Sequence, residues 1–265
     1  MIKLIATDID GTLLNYDRTV PDRLIPCLET IENKGIKVVP VTGRMYIAAI
    51  KIYNMLGFKD ALVTYQGGQV NSPDGEIIYQ KVLDRSQIRK GINWAWENDV
   101  HLQIYTDDRL YAENDNDIVQ RYSYEQNVPY NVVDFCDLDA DYASKMLAVD
   151  FNNPERVSAW VEELEKLFPE CFIVKSTPYF CEISHKNANK YDAVKFLQEY
   201  YGIKDDEVLT IGDQNNDIAL LKAGYVKVAM GNATDELKSV SNYVTDDVRD
   251  NGWANAVEHF CLNRI

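Results

Sequence analysis

At 265 residues the chain exceeds the usual size of one domain and has room for one large domain or two modest ones. A hydrophobic share of 46%, with 11% of the chain aromatic, suits a globular protein with a real core. A formal charge of −15 argues against nucleic acid or an anionic membrane surface as the main partner, and no stretch approaches the ~18 apolar residues of a membrane span.

The first apolar run, residues 2–7, reads as a buried strand and stops at two aspartates, Asp8 and Asp10, followed at once by Gly11-Thr12. A helical pattern over 21–34 carries Leu24, Leu28 and Ile31 on one face, and a second strand follows at 37–41. Residues 45–56 repeat the helical pattern and 61–65 the strand pattern. The region 82–184 reads differently. It holds two alternating strands over 101–114 joined by a turn at Asp107-Asp108, a strand at 144–151, a helix at 154–168, and a hairpin over 171–184 around Pro178. Strand and helix then alternate again, with helices at 190–201 and 215–223 and strands at 207–211 and 225–229. Strands alternating with helices of this size predict an α/β fold with a parallel sheet covered on both faces. The chain is therefore read as a core of residues 1–81 and 185–265 interrupted by an α+β insertion at 82–184. The insertion carries 9 basic and 20 acidic residues, so it holds most of the negative charge.

Five cysteines, Cys27, Cys136, Cys171, Cys181 and Cys261, are an odd set with no C-x-x-C pair, which suits a reducing compartment. Residues 1–7 are too short and too soon charged for a signal peptide, so the expected location is the cytoplasm. Nothing in the sequence fixes an oligomeric state, and a monomer is compatible with it.

In an open α/β sheet, ligands bind at the carboxyl ends of the strands, near the point where strand order reverses. Asp8 and Asp10 end one strand, Thr42, Gly43 and Arg44 end another, and Asp213 and Asp217 follow a third in T-I-G-D-Q-N-N-D. A lone aspartate after a strand is most often a turn former or a helix cap, and Asp-Gly is a common turn dipeptide. The convergence is harder to explain that way. Four carboxylates at one edge repel one another unless a cation lies among them, and such oxygen ligands suit Mg²⁺.

D-x-D-G-T at the first strand end, T-G-R after the second, Lys190 opening a late helix and G-D-x-x-N-D after the next strand together resemble the haloacid dehalogenase superfamily. The insertion before Lys190, with Y-F-C-E-I-S just upstream of N-A-N-K-Y-D, is similar to the Cof-type branch (subfamily IIB) of its phosphatases. The resemblance spans the whole chain and implies a Rossmann-like three-layer core with an inserted α+β cap that sets substrate specificity. It also implies a Mg²⁺-dependent phosphatase acting on a small phosphomonoester, a sugar phosphate or a phosphorylated cofactor. Asp8 is then the nucleophile and Asp10 the residue that protonates the leaving oxygen and later takes a proton from water. Mg²⁺ falls to the Asp8 carboxylate, the Asp10 backbone carbonyl and Asp213, with Asp217 close by. The N–H groups of Ile9 and Gly43, the Thr42 hydroxyl, the Asn216 amide and Lys190 are implied to bind phosphate.

Three positions depart from the branch. Tyr191 follows the lysine where glycine is usual, and Gln66 in Y-Q-G-G-Q-V stands where the branch shows Asn-Gly-Ala. Lys186 lies four residues before Lys190 and competes for its role, but Lys190 opens the helix and stands 23 residues before Asp213, as in the family pattern. The alternatives are a phosphomannomutase-like phosphotransferase, which needs cations in the cap for a second phosphate, and a non-catalytic sensor of a phosphorylated ligand, which does not need Asp10. A response-regulator receiver needs neither Asp10 nor the insertion.

Overall fold

The structure, a computed structural model, describes residues 1–262. Two compact units divide it: one contains Met1–Arg44, Ala49–Tyr79 and the chain from Asn189 onward, the other Met45–Ala48 and Gln80–Ala188. Among the described residues, no helix is long and apolar enough to cross a membrane.

In the first unit five parallel strands lie in the order Tyr243–Val244, Val226–Ala229, Val208–Gly212, Leu4–Thr7, Lys37–Pro40. Leu4–Thr7 is buried at all four positions because helices cover both faces of the sheet. Leu4 and Ala6 pack with Val194 and Leu197 of helix Lys190–Tyr201 and with Leu220 of helix Ile218–Ala223. Helix Leu24–Asn33 turns Leu24, Leu28 and Ile31 inward and packs against Lys37–Pro40. Each such side chain contributes about 1.5–3 kcal/mol by leaving water. The result is the three-layer α/β architecture expected. Strand order reverses between Leu4–Thr7 and Val208–Gly212, which places a crevice at the carboxyl ends of these two strands.

The strand at 61–65 departs from expectation. Leu62–Thr64 touches the parallel sheet through one bridge, Val41 to Val63, and pairs antiparallel with Gln69–Asn71. The cause is local. Tyr65, Gln66 and Gly67 have φ of 52°, 58° and 97°, so the chain reverses at once instead of crossing over to a parallel neighbour. The edge strand Tyr243–Val244, two residues long, has too little sequence to show a period.

The second unit is built on a six-stranded sheet in the order Cys171–Thr177, Phe180–His185, Lys145–Val149, His101–Thr106, Arg109–Ala112, Tyr130–Val132. It is antiparallel except for its last pair. Asp107 and Asp108 take φ of 50° and 54° at the expected hairpin turn, a conformation open to Asp. Ile104, Met146, Ala148 and Ile183 form one apolar face, packed with Ile88 and Ile92 of helix Arg85–Glu97 and with Val157 and Leu164 of helix Pro154–Leu167. The first of these helices has no counterpart in the sequence reading, although D-R-S-Q is a capping box. The Asp84 carboxylate accepts the Gln87 N–H at 2.9 Å, and Gln87 Oε1 accepts the Asp84 N–H at 2.9 Å. Helix Asp117–Gln126, capped by Asn116 and ended by Asn127 at φ 55°, was likewise not expected.

His101 gives this unit a pH dependence. Its ring nitrogens lie 3.3 Å from Gln103 Nε2 and 3.2 Å from Asn116 Nδ2, and burial pulls its pKa down to about 4. The unfolded histidine titrates near 6.5, so as pH falls the unfolded chain binds the proton first. Stability from this residue is present above about pH 6.5 and is lost towards about pH 4. Urea denaturation across that window is expected to show His101→Gln losing less stability than the wild type, by up to about 3 kcal/mol. Parallel pH profiles would contradict the assignment.

Candidate active site

The site is assembled at the reversal of strand order. Past Leu4–Thr7 the chain folds back on itself, with the Ile9 carbonyl accepting the N–H groups of Leu13 and Leu14 at 2.9 Å each. Gly11 allows this turn for two reasons. Its φ is +82°, and a Cβ there would lie 2.3 Å from Asp213 Oδ2. The turn thus brings Asp8 and Asp213 to one place.

From the other side comes Lys190, at the first position of its helix. The Asn189 side chain caps that helix by accepting the Asp192 N–H at 2.9 Å. Lys190 is 1% exposed, and its Nζ donates to Asp8 Oδ1 at 2.6 Å and to Asp217 Oδ1 at 2.7 Å. The other Asp217 oxygen accepts the backbone N–H groups of Asp213 and Gln214 at 3.0 and 3.2 Å. Asp217 is therefore fully engaged in holding Lys190 and the loop. Asp213 accepts from Thr12 Oγ1 at 3.1 Å, from the Tyr16 hydroxyl at 2.8 Å and from Gln214 Nε2 at 3.1 Å. The second oxygen of Asp8 has no donor among the described residues.

Burial, then the neighbouring Asp217, pushes Asp8 well above the usual carboxylate range, despite Lys190. Burial raises Asp213 as well. Burial pulls Lys190 down, but Asp217 and Asp8 outweigh it and the net shift is upward. One oxygen from each of Asp8, Asp213 and Asp217 lies within 4.8 Å of the others. Hard oxygen donors this close, with more negative charge than one ammonium offsets, fit a divalent cation.

The other expected residues fall around this centre. Asp10 does not join the carboxylate cluster; its oxygens accept from Arg44 Nε at 2.7 Å and Nη2 at 2.6 Å, a bidentate pair. Arg44 belongs to the T-G-R stretch, but this partnership was not foreseen. Thr42 is buried, and its hydroxyl oxygen accepts the Arg44 N–H at 3.2 Å. Asn216 Nδ2 donates to Gln66 Oε1 at 3.4 Å, and Gln66 lies against Gly43. Lys186 is exposed and Tyr191 is 38% exposed; it is Lys190 that meets the carboxylates. Tyr16 and Asn232 carried no signal in the sequence. Asn232 Nδ2 lies 2.9 Å from the Gly11 carbonyl and 3.2 Å from the Tyr16 hydroxyl, which links both to the Asp213 side of the site.

The family model for haloacid dehalogenase-like hydrolases matches residues 5–257. The chain belongs to that family. This hydrolase is 29% identical to 5-amino-6-(5-phospho-D-ribitylamino)uracil phosphatase YcsE of Bacillus subtilis, over 98% of this chain and 96% of that one. It superimposes on a haloacid dehalogenase-like hydrolase from Bacteroides thetaiotaomicron with a TM-score of 0.89 at 27% identity, covering 98% and 99% of the two chains. Against TM0651 from Thermotoga maritima the TM-score is 0.88 at 29% identity, with 99% of each chain covered.

In this hydrolase, Asp217→Ala leaves Lys190 with one carboxylate partner and removes the acceptor of two backbone N–H groups. Breaking a buried ion pair from one side is expected to cost about 3 kcal/mol in chemical denaturation. A loss below about 1 kcal/mol, typical of an exposed pair, would contradict this account.

Proposed function

We propose that the enzyme is a Mg²⁺-dependent phosphatase that hydrolyses small phosphomonoesters through a phosphoryl group carried on Asp8. The observation behind the reading is the state of Asp8. One of its oxygens is held by buried Lys190, the other is left open, and Asp10 follows two residues later.

In the first step the open Asp8 oxygen bonds to phosphorus, the ester P–O bond breaks, and Asp10 gives a proton to the departing oxygen. In the second step water attacks phosphorus, Asp10 takes its proton, and the Asp8–phosphorus bond breaks to restore the carboxylate and release phosphate. The Arg44 fork sets the direction of the Asp10 carboxylate and must yield one oxygen before the proton is transferred. The Ile9 and Gly43 N–H groups, the Thr42 hydroxyl, the Asn216 amide and Lys190 hold the phosphoryl oxygens as they gain charge. Asp8, Asp213 and the Asp10 carbonyl, with Asp217 alongside, would hold Mg²⁺, which would supply positive charge to offset the negative charge of the phosphate.

The substrate class is a sugar phosphate or a phosphorylated cofactor, in line with a relative named for a phosphoribitylamino-uracil. The inserted region 82–184, proposed to act as a specificity cap, carries 9 basic and 20 acidic residues. Its field disfavours leaving groups that bear further negative charge, which also disfavours a mutase that must hold a bisphosphate.

The direct test is phosphate release from a panel of phosphomonoesters. Turnover is expected with Mg²⁺, loss of it in chelator, and recovery when Mg²⁺ is restored. Asp8→Asn is expected to fold normally and to lose at least about a thousandfold in rate, because a neutral amide is a poor nucleophile. Full turnover in chelator would remove the metal from the account, and substantial activity in Asp8→Asn would remove the nucleophile.

A further inference from the structure

Three consecutive residues after strand Leu62–Thr64 have left-handed backbone, and two of them, Tyr65 and Gln66, are not glycine. Side chains with a Cβ rarely adopt this conformation, so the surroundings must hold it. They do so from two directions. The Tyr65 N–H donates to the Arg44 carbonyl and the Gln66 N–H to the Thr42 carbonyl, both at 3.0 Å. Gly67 presses so closely on the start of the Lys190 helix that a Cβ there would lie 2.1 Å from the Asn189 carbonyl oxygen.

The turn therefore fixes the Gln66 side chain between two of the groups read above as phosphate-binding. Gln66 Nε2 lies 2.4 Å from where a Cβ on Gly43 would stand, so the amide occupies the space a side chain there would need. Gln66 Oε1 accepts from Asn216 Nδ2 at a long 3.4 Å, its one side-chain hydrogen bond among the described residues. Nε2 has no acceptor there.

We propose that Gln66 is a further phosphate-binding residue. When phosphate enters, Asn216 turns its donor from Gln66 Oε1 to a phosphoryl oxygen, and Gln66 Nε2 donates to the same anion from beside Gly43. The long Asn216–Gln66 bond is the one given up, and the idle Nε2 donor gains a charged acceptor. The inference rests on the phosphate-binding reading of Gly43 and Asn216.

The test compares wild type with Gln66→Asn and Gln66→Glu. Calorimetric binding of inorganic phosphate with Mg²⁺ is measured beside KM and kcat for an aryl phosphate. Asparagine accepts left-handed backbone readily, so Gln66→Asn is expected to keep or raise the melting temperature. Its amide is one methylene short, so phosphate Kd and KM are expected to rise about tenfold, with kcat changing less. Gln66→Glu keeps the shape but sets a carboxylate against the anion, and its Kd is expected to rise further. If Gln66→Asn fails to fold, Gln66→Glu carries the comparison alone.

Variants that bind phosphate within about twofold of wild type would overturn the role of Gln66 and leave the phosphatase reading intact. Weakened phosphate binding in an enzyme that hydrolyses no ester would support Gln66 and overturn that reading instead. A wild type that neither binds phosphate nor hydrolyses esters would overturn both.

Discussion

The buried ammonium of Lys190, bonded to Asp8 and Asp217, is the interaction around which the rest of the site is arranged. Taking these charges out of water carries a penalty of several kcal/mol per ion, recovered only when the geometry is close and every remaining lone pair has a partner. The surroundings meet that condition on the Asp217 side, where two backbone N–H groups complete the carboxylate. They fall short of it on the Asp8 side, where one oxygen is left open. The same ammonium thus has one carboxylate partner fully bonded and one left half open.

That asymmetry links fold to chemistry. Strand order reverses between Leu4–Thr7 and Val208–Gly212, so the residues that follow these strands come from distant parts of the sequence yet meet. Three carboxylates then gather there, two of them on one ammonium, and burial raises the pKa of Asp8 and Asp213. Such a cluster favours a cation. In the proposed function Lys190, Thr42 and Asn216 supply donors to the phosphate. A carboxylate cluster beside groups that bind an anion is what the proposed phosphoryl transfer requires.

Much of this arrangement was legible in the sequence because it lies at strand ends. Apolar runs that stop at Asp8, Thr42 and Asp213 mark both the sheet and the edge where the candidate site lies, and the order of the four motifs carries the family. What escaped was set by tertiary contact or by local signals left unused. The Arg44–Asp10 fork joins residues 34 apart whose charges have no helical or strand spacing to announce them. Tyr16 and Asn232 reach Asp213 and Gly11 only after the sheet has formed. Helix Arg85–Glu97 did have signals, the Asp84–Gln87 capping box and the buried face of Ile88, Ile92 and Ala95 at helical spacing, and both were left unread. Leu62–Thr64 was read as a strand correctly, but its antiparallel pairing depended on the left-handed turn at Tyr65 and Gln66, residues not normally expected to form one.

The claim on which the account stands is that phosphorus passes through Asp8. The most direct measurement is the stereochemical course at phosphorus, followed with an isotopically chiral phosphate ester and an acceptor alcohol in place of water. Two successive in-line displacements, onto Asp8 and off it, each invert the centre, so the account predicts net retention of configuration. Net inversion would mean a single direct displacement by the acceptor, and would contradict a nucleophilic Asp8.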